Sequence, residues 1–285
     1  MPAVFRFSVD ALVDEIALLC QQGLQAVILF TSLSPHLRTE SASEALNPDG
    51  PVPRALRKLR NEFPDLCLIG DIALDPFSSH GHDGVLRDGD VDNDGTIALL
   101  TQMALLHAEC GADFVAPSDM MDGRIVKIRQ QLDLKGYDQT GILSYCVKYH
   151  SSLYSPFRDA LRSPHLALDK STYQMDPANR REAIREMELD EEEGADLLMV
   201  KPALLYLDII HAMSLRSQLP ICAFHVSGEY SMVMAAHERG FLDADRVFHE
   251  MLLSIKRAGA DCIISYAVPR ILQHIYRENL RHCLV

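Results

Sequence analysis

The tripeptide Gly-Ala-Asp occurs three times, each time between a stretch of helical periodicity and a short apolar run. Gly111-Ala112-Asp113 follows residues 96–110 and precedes Phe114-Val115-Ala116. Gly194-Ala195-Asp196 follows residues 180–193 and precedes the run 197–200. Gly259-Ala260-Asp261 follows residues 244–258 and precedes Cys262-Ile263-Ile264. Glycine tolerates the left-handed conformation that ends a helix, so each copy reads as helix, cap, strand. Gly23 before residues 26–30 is a looser version, and three more apolar runs lie at 66–73, 141–146 and 220–226. Runs that are short and almost continuously apolar suit strands buried on both faces. Their alternation with helices predicts a parallel sheet under helical cover. No linker or shift in composition divides the chain, so residues 1–285 are read as one domain. A (β/α)8 barrel is compatible with this length but needs eight strands, where seven runs are visible. An open doubly wound sheet would tolerate seven, so the count favours neither.

Charge and composition narrow the function. With 27 Lys+Arg against 40 Asp+Glu the net charge is −13, which argues against a phosphate-tracking nucleic-acid protein. No apolar run approaches the ~20 residues that span a bilayer. The start, Met-Pro-Ala-Val-Phe-Arg, has neither the basic region nor the apolar stretch of a signal peptide, and a cytoplasmic location is expected. The seven cysteines include no Cys-x-x-Cys pair. Cys67, Cys146, Cys222 and Cys262 lie within apolar runs, and they read as reduced core thiols rather than a disulfide framework or zinc ribbon.

The ends of the runs carry the chemistry. They lead to Asp71 and Asp75, Ser118-Asp119, Lys148, Lys201, Ser227 and Tyr266. In a barrel those ends converge on one face, where active sites lie. Lys148 closes Ile142-Leu143-Ser144-Tyr145-Cys146-Val147, and Lys201 follows the run 197–200 directly before Pro202. Burial at an apolar strand end lowers a lysine's pKa and yields an amine able to form a Schiff base with a carbonyl. Two such lysines on different strands lower one another further. Taken singly, each reads first as a snorkelling or salt-bridged residue, and it is the pair that points to catalysis.

Several longer motifs resemble one family. They are the stretch from Asp71 to Gly84 (Asp-Ile-Ala-Leu-Asp-Pro-Phe-Ser-Ser-His-Gly-His-Asp-Gly), Ala116-Pro-Ser-Asp-Met-Met-Asp-Gly-Arg124, Ser144-Tyr-Cys-Val-Lys148-Tyr and Tyr154-Ser-Pro-Phe-Arg158. Tyr173-Gln174-Met-Asp-Pro177, Met199-Val-Lys201-Pro, Val226-Ser227-Gly-Glu-Tyr230 and Ser265-Tyr266 complete the set. Together they resemble porphobilinogen synthase, also called δ-aminolevulinic acid dehydratase. The resemblance implies a TIM barrel that condenses two molecules of 5-aminolevulinate into porphobilinogen with loss of two waters, a step of tetrapyrrole (heme) biosynthesis. By that match Lys201 forms the Schiff base with the substrate of the propionate side and Lys148 with that of the acetate side. Ser227 and Tyr266 would hold the first carboxylate. Arg158, Lys170 and Gln174 would form a lid over the second, with Lys170 standing where some members have Arg, so that charge is kept and the bidentate fork lost. Asp71 and Ser118 match polar active-site positions.

The same resemblance bears on metals and assembly. Zinc-dependent members carry cysteines at the positions of Ala73, Asp75 and Asp83, so no catalytic zinc is expected, and Asp75 and Asp83 are candidate ligands for a hard cation. His80 and His82, one residue apart in a Gly-containing loop, are a weak zinc signal. Glu186 matches an allosteric magnesium ligand, although Glu182, Glu186, Glu188 and Asp190 could equally form a solvated acidic helix face. Family members form octamers through an N-terminal arm, followed by an apolar strand that opens the barrel. Both would precede Met1, which agrees with seven runs rather than eight. A fragment or mis-assigned start is favoured over a natural short form, and the short chain is expected to expose strand edges. Two rival functions are a truncated, inactive paralogue serving as an assembly partner and an aldolase-type Schiff-base enzyme. Keeping both lysines and the lid argues against each.

Overall fold

The computed structural model describes residues 1–161 and 169–283, and the side chains of Leu161 and of residues 276–283 lie outside the description. Among the described residues the strands are β1 (Ala26–Leu29), β2 (Cys67–Ile72), β3 (Leu86–Arg87), β4 (Asp90–Val91), β5 (Phe114–Pro117), β6 (Gly141–Lys148), β7 (Leu197–Lys201), β8 (Ile221–His225) and β9 (Cys262–Ser265). Seven of them form one parallel sheet in the order β1-β2-β5-β6-β7-β8-β9. All seven apolar runs are therefore strands. The remaining two form a small antiparallel hairpin that hydrophobic periodicity did not anticipate. Its turn, Asp88-Gly89, has φ of 54° and 93°, the positive pair that tight hairpins favour.

The sheet is curled. Ile69 of β2, Leu143 and Tyr145 of β6, Met199 of β7 and Phe224 of β8 share one inner cluster with the partly buried Ile28 of β1 and Ile264 of β9. Alternate residues on the same strands, such as Ile72, Val115, Leu198 and Ala223, face a larger outer cluster with the helices. This is a parallel (β/α) barrel with seven strands. Among the described residues β1 and β9 do not pair, and an apolar cavity of about 670 Å³ lies between them, lined by Val27, Phe30, Cys262 and Ile264 among others. It holds neither lysine of the candidate site. One expectation is corrected by this edge: Cys262 is exposed rather than a core thiol, because β9 has a neighbour on one side only. No described helix is long and apolar enough to cross a membrane.

The Gly-Ala-Asp signature works as a register clasp. Gly111, Gly194 and Gly259 have φ of 94°, 102° and 120° and end their helices as expected. The aspartates do more. Asp113 Oδ2 accepts from Leu68 N at 2.7 Å while Asp113 N donates to Leu68 O at 2.9 Å. Asp196 clasps Ile142 of β6 (2.8 and 3.0 Å) and Asp261 clasps Ile221 of β8 (2.8 and 2.7 Å) in the same way. Each aspartate thus satisfies an amide at the start of the neighbouring strand and pins its register. Register decides which residues face inward, and so where the functional side chains point.

Candidate active site

A bulge aims one of the two lysines. Along β6 the residues alternate, Leu143 and Tyr145 inward and Ile142, Ser144 and Cys146 outward. Strict alternation would turn Lys148 outward with Cys146. The register shifts between Ser144 and Val147, so Val147 joins the outer cluster and Lys148 turns inward. β7 has no such irregularity: Leu197 and Met199 face in, Leu198 and Val200 out, and Lys201 in. Lys148 and Lys201 are consequently register partners on adjacent strands.

Lys201 sits in an aromatic cage. Its Nζ lies 4.6 Å from the centroid of Phe224, 5.1 Å from Tyr154, 5.2 Å from Tyr145 and 5.9 Å from Phe157. Burial, helped by the Lys148 charge, pulls its pKa down to about 7 against the pull of Asp71, Asp83 and Asp75. A far larger share of Lys201 side chains are then free amines at neutral pH than of ordinary lysines, which are almost entirely ammonium. Asp71 is perturbed in the opposite sense. Burial and the charge of Asp75 raise it to about 7, opposed by a hydrogen bond from Ser118 and by the two lysines.

Lys148 is held differently. Its Nζ donates to the Ser118 carbonyl and pairs with Asp83 Oδ2 at 3.3 Å. The other Asp83 oxygen accepts from Lys170 Nζ at 2.8 Å, and Asp75 lies 3.6 Å from the same ammonium. Asp83 is buried, but Lys148 and Lys170 hold its pKa down at about 2. Lys170 keeps its charge, because Asp83 and Asp75 outweigh burial and raise its pKa. Arg158, on the helix Ser155–Leu161, and Gln174 complete the wall, with buried Arg158 Nη2 and Gln174 Oε1 lacking hydrogen-bond partners among the described residues. The cavity enclosed by Asp71, Asp75, Asp83, Ser118, Lys148, Arg158, Lys170, Gln174 and Lys201 measures about 40 Å³.

Two expected residues stand to the side. Ser227 Oγ donates to Leu153 O at 3.1 Å and accepts from Phe157 N at 3.2 Å, and so packs against the root of the Arg158 helix. Tyr266 lies beside Phe224, its ring 6.2 Å away, and the Asp71 charge adds to burial in raising its pKa. Glu186 is remote from this cluster, half-buried on the helix Arg180–Glu192, with its pKa raised by burial and by Asp190 and Asp122. Asp190 is itself engaged by Arg124 at 3.2 Å and by Ser144. His82 Nδ1 lies 3.2 Å from the Tyr173 hydroxyl, and His80 Nδ1 accepts from the His82 amide. Among the described residues no three His, Cys, Asp or Glu side chains come together as a metal cage. A cation at Asp83 would have to displace Lys148 or Lys170, so the aspartates as arranged do not fit one.

The model of the family described as delta-aminolevulinic acid dehydratase matches residues 1–274. The chain belongs to that family. It is 53% identical over 277 residues to the delta-aminolevulinic acid dehydratase of Chlamydia pneumoniae, a match covering 97% of this chain and 83% of that protein. It is 50% identical over 272 residues to the enzyme of Methanothermobacter thermautotrophicus, covering 95% and 82%. Among solved structures, the dehydratase (porphobilinogen synthase) of Toxoplasma gondii, in complex with the reaction product porphobilinogen, superposes with a TM-score of 0.94 at 47% identity, covering 96% of this chain and 78% of that one.

Sequence reasoning for this dehydratase-family chain missed the cage around Lys201, and it missed Glu229, which is fully buried beside the Lys201 loop. A signal for the cage existed: Tyr145 and Phe224 occupy inward positions on strands already recognised. Tyr154 and Phe157 come from a loop and a helix whose fold over the barrel mouth has no periodic signature. Arg124, buried between Asp119 and Asp190, had no local cue.

Proposed function

We propose that the protein condenses two molecules of 5-aminolevulinate into porphobilinogen with release of two waters, through Schiff bases on Lys201 and Lys148. The observation that carries the reading is the pair of buried lysines on adjacent strands, one of them with a pKa near neutrality in an aromatic cage. The Lys201 amine attacks the ketone of the first substrate, water leaves, and the resulting iminium carbon is activated for bond formation. Ser227 and Tyr266 hold the carboxylate of that substrate. Lys148 binds the ketone of the second, whose carboxylate takes up Arg158, Lys170 and Gln174. Asp71, with a pKa of about 7, is suited to give and take protons at neutral pH. The space between these side chains, about 40 Å³, suits one or two waters, and in this reading the Arg158 and Lys170 segments move outward to admit substrate.

Two further roles belong to this reading. If a cation activates the enzyme, Glu186 among its acidic neighbours would hold a magnesium ion, which would favour the active assembly rather than take part in the chemistry. The protein self-associates, in keeping with the octamers of its resemblance group. Borohydride added with 5-aminolevulinate should trap an adduct on the peptide containing Lys201, and porphobilinogen should accumulate without borohydride. Labelling confined to other lysines would sink the assignment.

A further inference from the structure

Glu229 is a fully buried carboxylate that contacts no lysine of the site, and its two oxygens serve two different loops. Oε1 accepts from Leu204 N at 2.6 Å, in the loop that follows Lys201. Oε2 accepts from Val226 N at 2.6 Å, the residue before Ser227. The Ala203 amide also donates to the carboxylate. Burial lifts the pKa of Glu229 to about 7 against these three amides. Desolvating a carboxylate is costly, and an apolar side chain could fill the same volume. What the carboxylate adds is a two-sided brace between the end of β7 and the start of the helix Ser227–Glu238.

The surrounding contacts make this brace the element that sets a distance. Lys201 O accepts from Tyr149 N at 2.9 Å and from the Tyr154 hydroxyl at 3.1 Å, which fixes the lysine from the Tyr154 side. On the other side a Cβ at Gly228 would lie 2.6 Å from Leu153 O, so the backbone after Ser227 is seated directly on the segment that carries Tyr154. Between those two anchored points, among the described residues, only the Glu229 carboxylate spans from the Lys201 loop to the Ser227 turn through hydrogen bonds from both.

We propose that Glu229 is a positioning residue that fixes the separation of Lys201 and Ser227, and that through it the first substrate pocket measures the two-methylene spacer between ketone and carboxylate. The inference rests on the function proposed above, in which those two residues grip opposite ends of one 4-oxo acid. A pocket held at fixed length accepts 4-oxopentanoate and rejects 5-oxohexanoate, which is longer by one methylene. A relaxed pocket accepts both.

The test uses these two acids as probes, with borohydride trapping at Lys201 read by peptide mass over a range of concentrations. In the wild-type protein 4-oxopentanoate should be preferred by roughly tenfold or more, the discrimination that one methylene commands. Glu229→Gln keeps the volume but turns an N–H toward a backbone N–H, and the preference should fall towards one. Glu229→Asp, too short to reach both loops, should give the same loss and serves if the Gln variant does not accumulate. Asp113→Asn, which loosens a register clasp at the strand starts, is the control for general destabilisation and should keep the wild-type ratio. A wild-type ratio in a folded Glu229 variant overturns the brace alone, as does an equal loss in Asp113→Asn. Absence of any Lys201 adduct in the wild-type protein overturns the Schiff-base reading, and the brace with it.

Discussion

Replacing Lys201 by Met should make the folded protein more stable at neutral pH while removing the Schiff base. In the folded chain the amine has a pKa of about 7, against 10.5 for an ordinary lysine. At pH 7 the unfolded state binds the proton almost fully and the folded state by half. Integrating that difference, the lysine costs about 4 kcal/mol of stability. The four rings around Nζ favour the charged form and offset roughly 1–2 kcal/mol of this. Methionine has nearly the same length, keeps the contacts of the stem and gains sulfur–aromatic contacts. A net gain of about 2–4 kcal/mol follows at pH 7. The sign of the pH dependence is fixed as well. Between pH 7 and 10.5 the unfolded wild-type chain binds more protons than the folded one, so wild-type stability rises with pH. The advantage of Lys201→Met should accordingly shrink to about 1 kcal/mol at pH 10. Urea unfolding of both proteins at pH 7 and pH 10, with unchanged m-values, measures it. A variant no more stable than wild type at pH 7, or an advantage that does not decline by pH 10, would refute the argument.

Lys148→Met removes the like charge next to Lys201 and frees Asp83, so the pH at which Lys201 is half-trapped by 4-oxopentanoate and borohydride should rise; an unchanged profile would show that Lys148 does not act on Lys201. Asp196→Ala leaves the amide of Ile142 without its carboxylate partner and should cost about 1–3 kcal/mol in thermal or urea unfolding, whereas a neutral effect would mean that the clasp does not hold register. Turnover should survive zinc chelation, since Lys148 and Lys170 occupy Asp83; zinc-restored activity after chelation would contradict this. If magnesium stimulates turnover, Glu186→Ala should abolish the stimulation, and a response identical to wild type would remove Glu186 from the cation site.

Periodicity located all seven strands of the barrel because each is almost continuously apolar: the inner five are largely buried, and the edge strands β1 and β9 keep the pattern although they are partly exposed. The clasps were half-visible. The glycine of each signature announces a helix end by its own conformational freedom, but the aspartate bonds to a strand 40 to 54 residues away in sequence, a pairing that no local window contains. The β3–β4 hairpin escaped because two-residue strands have no period. At the site, Lys201 follows simple alternation and its direction could be read off the run. The direction of Lys148 could not, since the bulge that turns it inward leaves no mark in the apolar pattern of β6. Residues from loops, such as Asp83 and Lys170, were reached through resemblance alone, because their meeting depends on how two segments 87 residues apart fold over one barrel mouth.

The charge of the closed site has a direction that fits an anionic substrate. Four cationic side chains, Lys148, Arg158, Lys170 and Lys201, enclose the cavity with three carboxylates, Asp71, Asp75 and Asp83. Burial acts unequally on them. It draws Lys201 and Asp71 each to about pH 7, so that as a pair they carry little net charge at neutrality and can exchange a proton with substrate at small cost. It raises Asp75 as well, which weakens that carboxylate as a counter-ion. Asp83 stays ionised, but a single carboxylate is shared between Lys148 and Lys170. Arg158, with a buried nitrogen that has no hydrogen-bond partner among the described residues, is left facing this arrangement. The surplus is therefore positive and lies on the Arg158–Lys170 wall, away from the aromatic cage. A carboxylate arriving there would be met by fixed cations, whereas a ketone arriving at Lys201 would meet a half-neutral amine among rings. The two ends of the cavity thus differ in the chemistry they receive, and that difference is set by which strand end or loop each side chain leaves.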